Sequence, residues 1–486
     1  MSEIQNLEPK NLWRNFYALT QVPRPSGHLD KVRNFLLSWA KERNIEAHAD
    51  NAGNVILRKP ATPGYENLQM VTMQAHMDMV PQKVKESNHD FENDPIETYI
   101  DGDWVKAKGT TLGSDDGIGV ATIMAVMEDD TLKHGPLEAI ATVDEETCMY
   151  GVNNLQADTL QGRILLNFDD ETEGQVIIGS AGGVNVTATL EYKEVPTFRE
   201  DAAIKVELTG LKGGHSGLEI NEGRANANKL MARFVREAIA NLGARLAEWH
   251  GGNMRNAIPR DAEVVLTAPK DDIENLKKSV ALWEAIFKSE YGEIEKDLAM
   301  KTEDTALPAT EVPEEIQDNL VGAIMACHNG VLRYMPAIPD IVETSSNLAI
   351  INIGGGQAEA RMLVRSAVDT MRRFCAETVG SPFAMAGMKI IHDGEYPAWE
   401  PDTESPIANT MVKEYRKLFG EELNVRVIHA GLECGVIGSV YPDMDMVSFG
   451  PTLRSPHTPN ERCNIPSVAK YYRFVTTLLE NIPEKK

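Results

Sequence analysis

The alternation of apolar and polar positions divides the chain into stretches of different character. In roughly the first 180 residues, "LWRNFYALTQV" and "LDKVRNFLLSWAKERN" carry apolar residues at helical spacing. "GNVILRK", "LQMVTMQAHMDMV", "LEAIATVDEE" and "GRILLNFDDE" are short apolar runs that predict strands, and "GIGVATIMAVMED" predicts a helix. Strands alternating with helices predict an α/β unit with a mainly parallel sheet flanked by helices. Sites in such sheets form outside the carboxyl ends of the strands. After "IIGSAGG" the pattern changes: "VNVTATLEYKEV" and "AAIKVELTGL" alternate as antiparallel strands do. "ANANKLMARFVREAIANLG" and "DIENLKKSVALWEAIFKSEYGEI" predict helices, and a second round follows through "LAIINIGGGQAEARMLVRSA", "DTMRRFCAETVG" and "AGMKIIHDG". This α+β material predicts two ferredoxin-like halves side by side. The α/β pattern returns from "AWEPDTESPIANTMVKEYRKLF" onward. The expected organisation is one catalytic domain, residues 1–183 and 397–486, interrupted by an inserted α+β lid domain, residues 184–396.

Composition sharpens this picture. A chain of 486 residues exceeds one ordinary core, in keeping with more than one domain. No window approaches a membrane span, and "MSEIQNLEPK" lacks the apolar core of a secretory signal, so a cytoplasmic location is the default expectation. The 48 Lys and Arg against 73 Asp and Glu give a net charge of −25. That charge repels nucleic acid and anionic membrane surfaces, and is compatible with binding cations. The five cysteines, Cys148, Cys327, Cys375, Cys434 and Cys463, are scattered and none forms a CxxC pair. Any metal site would therefore use histidine and carboxylate.

Four segments place His or acidic residues at predicted strand ends or in a turn opening a helix. They are His76 and Asp78 in "MQAHMDMV", Asp115 and Asp116 in "GSDDGIG", Asp144, Glu145 and Glu146 in "TVDEE", and Asp169, Asp170 and Glu171 in "NFDDE". A fifth, "SPHTPNE", sets His457 in a Pro-rich loop. Each alone has an ordinary reading: a buried His–Asp pair, an Asp-Asp-Gly turn with a helix cap, a solvated acidic pair, a loop histidine. Together they conflict, because carboxylate clusters at one end of a sheet repel unless cations lie between them. Histidine and carboxylate donors suit Zn²⁺, Mn²⁺ or Co²⁺, and two such ions can share a bridging carboxylate and a water. The residues alone leave open whether Asp115 or Asp116 bridges, and whether Asp169 or Asp170 is a ligand.

In this order and spacing, "HMD", "GSDDGIG", "TVDEE", "NFDDE" and "SPHTPNE" resemble the di-zinc exopeptidases that include aminoacylase, glutamate carboxypeptidase and succinyl-diaminopimelate desuccinylase. The resemblance covers nearly the whole chain. "LEPKNLWRNFYALTQVPRPSGH", "TTLGSDDGIGVA" and "NFDDETEGQVIIGSAGG" resemble the aminoacyl-histidine dipeptidase, carnosinase-like branch of that family. It implies that His76 and Asp169 hold one metal ion, His457 and Glu146 the other, and that Asp115 bridges them. It implies Glu145 as general base, Asp78 as the residue orienting the His76 ring, and a cis peptide after Asp115. It further implies that His215 in "GGHSG", Asn256 in "GGNMRNAIPR" and Arg365 in "RMLVRSA" bind the substrate's carbonyl oxygen and C-terminal carboxylate, with backbone at Gly435 passing close to it. Glu433 is an open candidate for a free α-ammonium.

The implied activity is that of a metallo-exopeptidase hydrolysing Xaa-His dipeptides of the carnosine type. It would use two divalent ions, zinc first with cobalt or manganese also suited, and form a homodimer through the lid. An N-acyl amino-acid deacylase or an aminotripeptidase of the same superfamily is the alternative, since only the pocket would differ. An inactive peptide-binding relative would have lost a ligand or the base, and no such loss is visible. A protein that merely stores metal has no use for Glu145 beside Glu146.

Overall fold

The computed structural model describes residues 3–336 and 338–485. The chain folds as two compact units. One comprises the residues through Ser180, Trp399–Val427 and those from Leu432 onward; the other comprises Ala181–Ala398 and Ile428–Gly431. The return of residues 428–431 to the second unit has no counterpart in the hydrophobic pattern.

The first unit is built on a mixed sheet. Its strands β1 (Glu46–Ala49), β2 (Val55–Lys59), β3 (Val71–His76), β4 (Leu137–Thr142), β5 (Ile164–Asn167) and β6 (Gln175–Ser180) are joined by Asp445–Ser448 and Asn424–Ile428. The order is β1-β2-β4-β3-β5, then Asp445–Ser448, β6 and Asn424–Ile428. The central strands β4, β3, β5 and Asp445–Ser448 run parallel. Antiparallel pairing is confined to the flanks. Every residue of β3, β4 and β5 is buried on both faces, the polar side chains Thr72, Gln74, His76, Glu138, Thr142 and Asn167 included. Helices α1 (Lys10–Thr20), α2 (Asp30–Glu42) and α3 (Ser114–Glu128) belong to the same unit.

Register places the candidate residues at one height. His76 is level with Thr142, and Gln74 with Asn167, so Asp169 follows β5 by the same two residues that separate Gln74 from His76. The segments "HMD", "VDEE" and "FDDE" therefore leave the sheet at its carboxyl edge, beside one another.

The second unit carries an antiparallel sheet. Its main elements in chain order are β7 (Gly182–Glu191), β8 (Asp201–Thr209), α4 (Ala227–Leu242), β9 (Arg245–Gly251), β10 (Ala262–Pro269), α5 (Ile273–Tyr291), β11 (Ala299–Thr305), α6 (Glu314–Ala326), β12 (Val342–Gly354), β13 (Gln357–Ser366), α7 (Asp369–Met385) and β14 (Lys389–Tyr396), with a further strand, Gly330–Tyr334, pairing β12. The strand order β11-β8-β10-β9-β12-β13-β7-β14 resolves into two βαββαβ halves. One is β8-α4-β9-β10-α5-β11 and the other β7-α6-β12-β13-α7-β14. These ferredoxin-like halves lie side by side, but one is nested within the other's chain, and they share one sheet through the β9–β12 pairing. Among the described residues, no helix is long and apolar enough to cross a membrane.

Two buried ions of opposite sign fix the loops at the carboxyl edge of the first unit. The Arg24 guanidinium donates to the carbonyls of Met77, Asp78 and Gly113, joining the end of β3 to the turn before α3. Glu461 accepts from the backbone N–H groups of Leu112, Gly113, Ser114 and Asp115 and from the Ser114 hydroxyl, at 2.7 to 3.2 Å. These donors precede α3 or open its first turn and have no intrahelical partner, so Glu461 acts as a cap supplied from the loop that carries His457. Gly113, with φ of +69°, leaves room that a side chain would take from Arg24 and Met79. Glu461→Ala leaves that set of buried donors without an acceptor. It should lower the unfolding free energy by about 3 kcal/mol in urea titration of the metal-free protein; an unchanged midpoint would contradict the capping role.

Candidate metal centre

The segments that leave the carboxyl edge converge on Asp115. Its Oδ1 lies 3.1 Å from His76 Nε2, and its Oδ2 lies 3.0 Å from His457 Nε2. Around His76 the second carboxylate is Asp169, whose Oδ1 is 3.5 Å from Nε2. Around His457 it is Glu146, whose Oε1 is 2.9 Å from Nε2. One carboxylate thus presents an oxygen to each of two His–carboxylate pairs. His457 holds its ring there from a left-handed backbone conformation, φ of 58°, unusual for a side chain with a Cβ.

The donor chemistry fits divalent cations. An imidazole nitrogen carries at most one proton, yet each of these two nitrogens faces two carboxylate oxygens. Glu146 Oε1 is buried and receives no hydrogen bond. Ligand atoms of His76, Asp115 and Glu146 lie within 4.8 Å of one another. Nitrogen and carboxylate oxygen donors at this spacing, without thiolate, suit zinc, cobalt or manganese.

Electrostatics show the same demand for positive charge. Burial alone would raise Asp115, but the hydrogen bonds from His457 and His76 hold it well below the usual carboxylate range. The carboxylates of Asp115 and Glu146 against its ring push His457 up to about 11. Burial raises Asp169 to about 6, with Asp115 and Glu146 adding to the rise. Burial likewise lifts Glu145 well above its ordinary value, and Asp169, Glu433 and Glu146 add repulsion. Protons on these groups balance the crowded carboxylates, and a bound cation would displace them.

The neighbouring acids separate clearly. Asp116 accepts from the Gly119 N–H of its own helix and has no hydrogen bond or ion pair with either imidazole. The Asp115–Asp116 peptide is cis. Asp170 is bonded to the Gln175 amide instead. Asp78 lies 3.3 Å from His76 Nδ1. It also accepts from the Ser26 hydroxyl at 2.8 Å and from the backbone N–H groups of Glu145 and Glu146 at 3.1 and 3.3 Å. Asp78 therefore fixes where Glu145 and Glu146 begin their short helix, as well as standing beside the ring of His76. The sequence did not single out Arg24, Ser26 or Glu461 for this edge. Arg24 and Ser26 stand in "VPRPSG" and Glu461 closes "SPHTPNE", turn-rich contexts in which charged and polar residues read as solvated.

His215, Asn256 and Arg365 belong to the second unit. His215 Nδ1 accepts from the N–H groups of Gly217 and Leu218, so a neutral ring keeps its proton on Nε2 as a donor. Burial, helped by Arg365, lowers His215 to about 4. A Cβ at Gly217 would stand 3.0 Å from His215 Cε1 and 3.1 Å from Arg365 Nε, so these two side chains flank the same point. Asn256 is tied to the His215 loop through its carbonyl, which accepts from Ser216 N–H at 2.8 Å. Asn347 clamps the same turn by donating to the carbonyls of Arg255 and Ala257. Arg365 is buried, bonds Tyr396 through Nη1, and leaves Nε without a partner. Among the described residues it has no ion pair with a carboxylate. His429, bonded to the Ser345 hydroxyl at 2.7 Å, lies in the same unit. Asn347, Tyr396 and His429 were not legible as neighbours of this cluster. Gly435 is buried in the first turn of the helix Glu433–Val440, in the first unit, and its N–H bonds the Leu432 carbonyl.

The chain is 42% identical over 487 residues to the cytosol non-specific dipeptidase of Escherichia coli (strain K12), covering 100% of both. It is 42% identical to the crystal structure of aminoacylhistidine dipeptidase from Vibrio alginolyticus, with a TM-score of 0.91 and coverage of 100% and 99%. A tripeptidase from Staphylococcus aureus shares the fold at 13% identity, TM-score 0.56, covering 98% and 99%. Residues 72–481 match peptidase family M20/M25/M40. The chain belongs to this family, and is a peptidase.

Proposed function

We propose that the protein is a metal-dependent dipeptidase acting on dipeptides with a free C-terminal carboxylate, those ending in histidine among them. The observation that carries this reading is Asp115, which offers one oxygen to each of two His–carboxylate pairs. His76, Asp169 and Asp115 would hold one ion; His457, Glu146 and Asp115 the other. Bound there, such ions supply Lewis acidity that acidifies water and polarises a carbonyl. The chain supplies the rest. Glu145 takes the proton of the attacking water and later delivers it to the leaving amine. Asp78 holds the start of the Glu145 helix by two backbone bonds.

In the second unit, His215 has the chemistry of a donor to a carbonyl oxygen, because its accepting nitrogen is already occupied by backbone. Arg365 has that of a carboxylate partner, being a buried guanidinium with a free Nε. Asn256 adds a side-chain amide beside the His215 loop. Relatives named as dipeptidases, 42% identical over the whole chain, support this choice over a deacylase. A cytosolic location follows the name of the Escherichia coli relative. A homodimer formed through the second unit rests on the family resemblance.

The reading is tested by hydrolysis of Ala-His, β-Ala-His, other dipeptides, a tripeptide, a dipeptide amide and an N-acetyl amino acid, with chelator and with metal restored. Dipeptides should be cleaved, activity should vanish on chelation and return with Zn²⁺, Co²⁺ or Mn²⁺, and the amide should be slower by at least about a hundredfold. Chelator-insensitive cleavage, or preference for the N-acetyl amino acid, would overturn it.

Two variants separate holding metal from using it. Glu145→Gln should keep both metal equivalents and lose about three orders of magnitude in kcat. Asp115→Ala should lose metal by elemental analysis. Full activity of the first, or full occupancy in the second, would reassign the base or the bridge.

A further inference from the structure

Beneath the candidate ligands lies a second polar layer that the chemistry does not use. Side chains two apart on a strand point to the same face. Gln74 precedes His76 by two residues, Thr142 precedes Asp144 by two, and Asn167 precedes Asp169 by two. All three of these polar residues are fully buried on strands β3, β4 and β5. Unpartnered, they would each cost stability.

Glu433 joins them. It is fully buried, so it does not stand exposed to receive a free α-ammonium. Its Oε2 accepts from Gln74 Nε2 and, at 2.7 Å, from the Thr142 hydroxyl. The Gln74 Oε1 in turn accepts from Asn167 Nδ2. The Asn167 Oδ1 accepts from the backbone N–H of Asp169 at 3.3 Å. The bonds therefore form one directed chain: Glu433, Gln74, Asn167, main chain of Asp169.

The direction has a physical source. Gln and Asn amides can turn over, exchanging donor and acceptor ends. An oxygen of Glu433 aimed at Gln74 selects the NH₂ end of that amide. That choice turns Gln74 Oε1 toward Asn167, which selects the Asn167 NH₂ end, and leaves Asn167 Oδ1 facing the Asp169 N–H. With Asn167 reversed, an NH₂ group would face that N–H, donor against donor.

We infer that Glu433 is a positioning residue: through the Gln74–Asn167 amide relay it sets the main chain of Asp169, and through Thr142 it ties down the strand that leads to Glu145 and Glu146. The inference rests on the proposed metal site, because it concerns how that site's ligands are held. Groups beyond the ligand atoms commonly change metal affinity by about 10–100-fold.

The test is titration of the metal-free protein with Co²⁺, read by visible absorption and by the number of equivalents bound. Glu433→Leu removes the acceptor at similar volume and should weaken Co²⁺ binding by about tenfold or more. Its kcat at saturating metal should recover to within a few-fold of the parent. Glu433→Gln keeps an oxygen for Gln74 and Thr142 and should bind Co²⁺ nearly as the parent does. Asn167→Ala breaks the relay without touching Glu433 and should reproduce the weakening; it decides the matter if Glu433→Leu does not fold. Parent-like affinity in Glu433→Leu or in Asn167→Ala would overturn the inference. If the parent itself binds no Co²⁺, the metal reading has failed instead.

Discussion

The structure of the first unit turns on how many carboxylates meet at one end of its sheet. Asp115 stands between His76 and His457, with Asp169 against the first ring, Glu146 against the second, and Glu145 in the field of both acids. Burial makes this arrangement costly as bare negative charge, which is why Asp169 and Glu145 are lifted, while Asp115 and Glu146 against its ring raise His457 to about 11. The cluster persists only with positive charge inside it, as protons or as metal ions. Neighbouring features follow from holding these groups at a fixed height while that charge is supplied.

The holding is done by main-chain contacts more than by side chains touching side chains. Glu461 gathers the N–H groups at the start of α3 and so places Asp115. Asp78 gathers the N–H groups of Glu145 and Glu146. Arg24 clasps the carbonyls that follow β3 and precede α3. Buried carboxylates and a buried guanidinium are costly when unpaired, and here each is bonded mainly to backbone. The same logic governs the second unit, where backbone N–H groups fix the tautomer of His215 and Asn347 fixes the turn at Asn256.

Much of this was legible in the sequence because the candidate ligands sit at the ends of apolar runs. "MVTMQAHMD" and "ILLNFDDE" announce a buried strand followed by acid or imidazole, and strand register then brings the ends together. The choice of Asp115 over Asp116, and of Asp169 over Asp170, was not legible, since adjacent carboxylates differ only in where the backbone aims them. The positioning residues were hidden for another reason. Arg24 and Glu461 lie in turn-rich segments, Gln74 and Asn167 look like interruptions of a strand, and Glu433 lies hundreds of residues from its partners. Nested halves in the second unit were likewise out of reach, because local pattern shows strands and helices but not which strand closes a half begun much earlier in the chain.

The most direct measurement is anomalous diffraction from crystals grown with zinc. The account predicts two peaks about 3.5–4 Å apart. One should be bound by His76 and Asp169, the other by His457 and Glu146, with one oxygen of Asp115 on each. A single ion, or a pair bridged by Asp116 with Asp115 turned away, would contradict it.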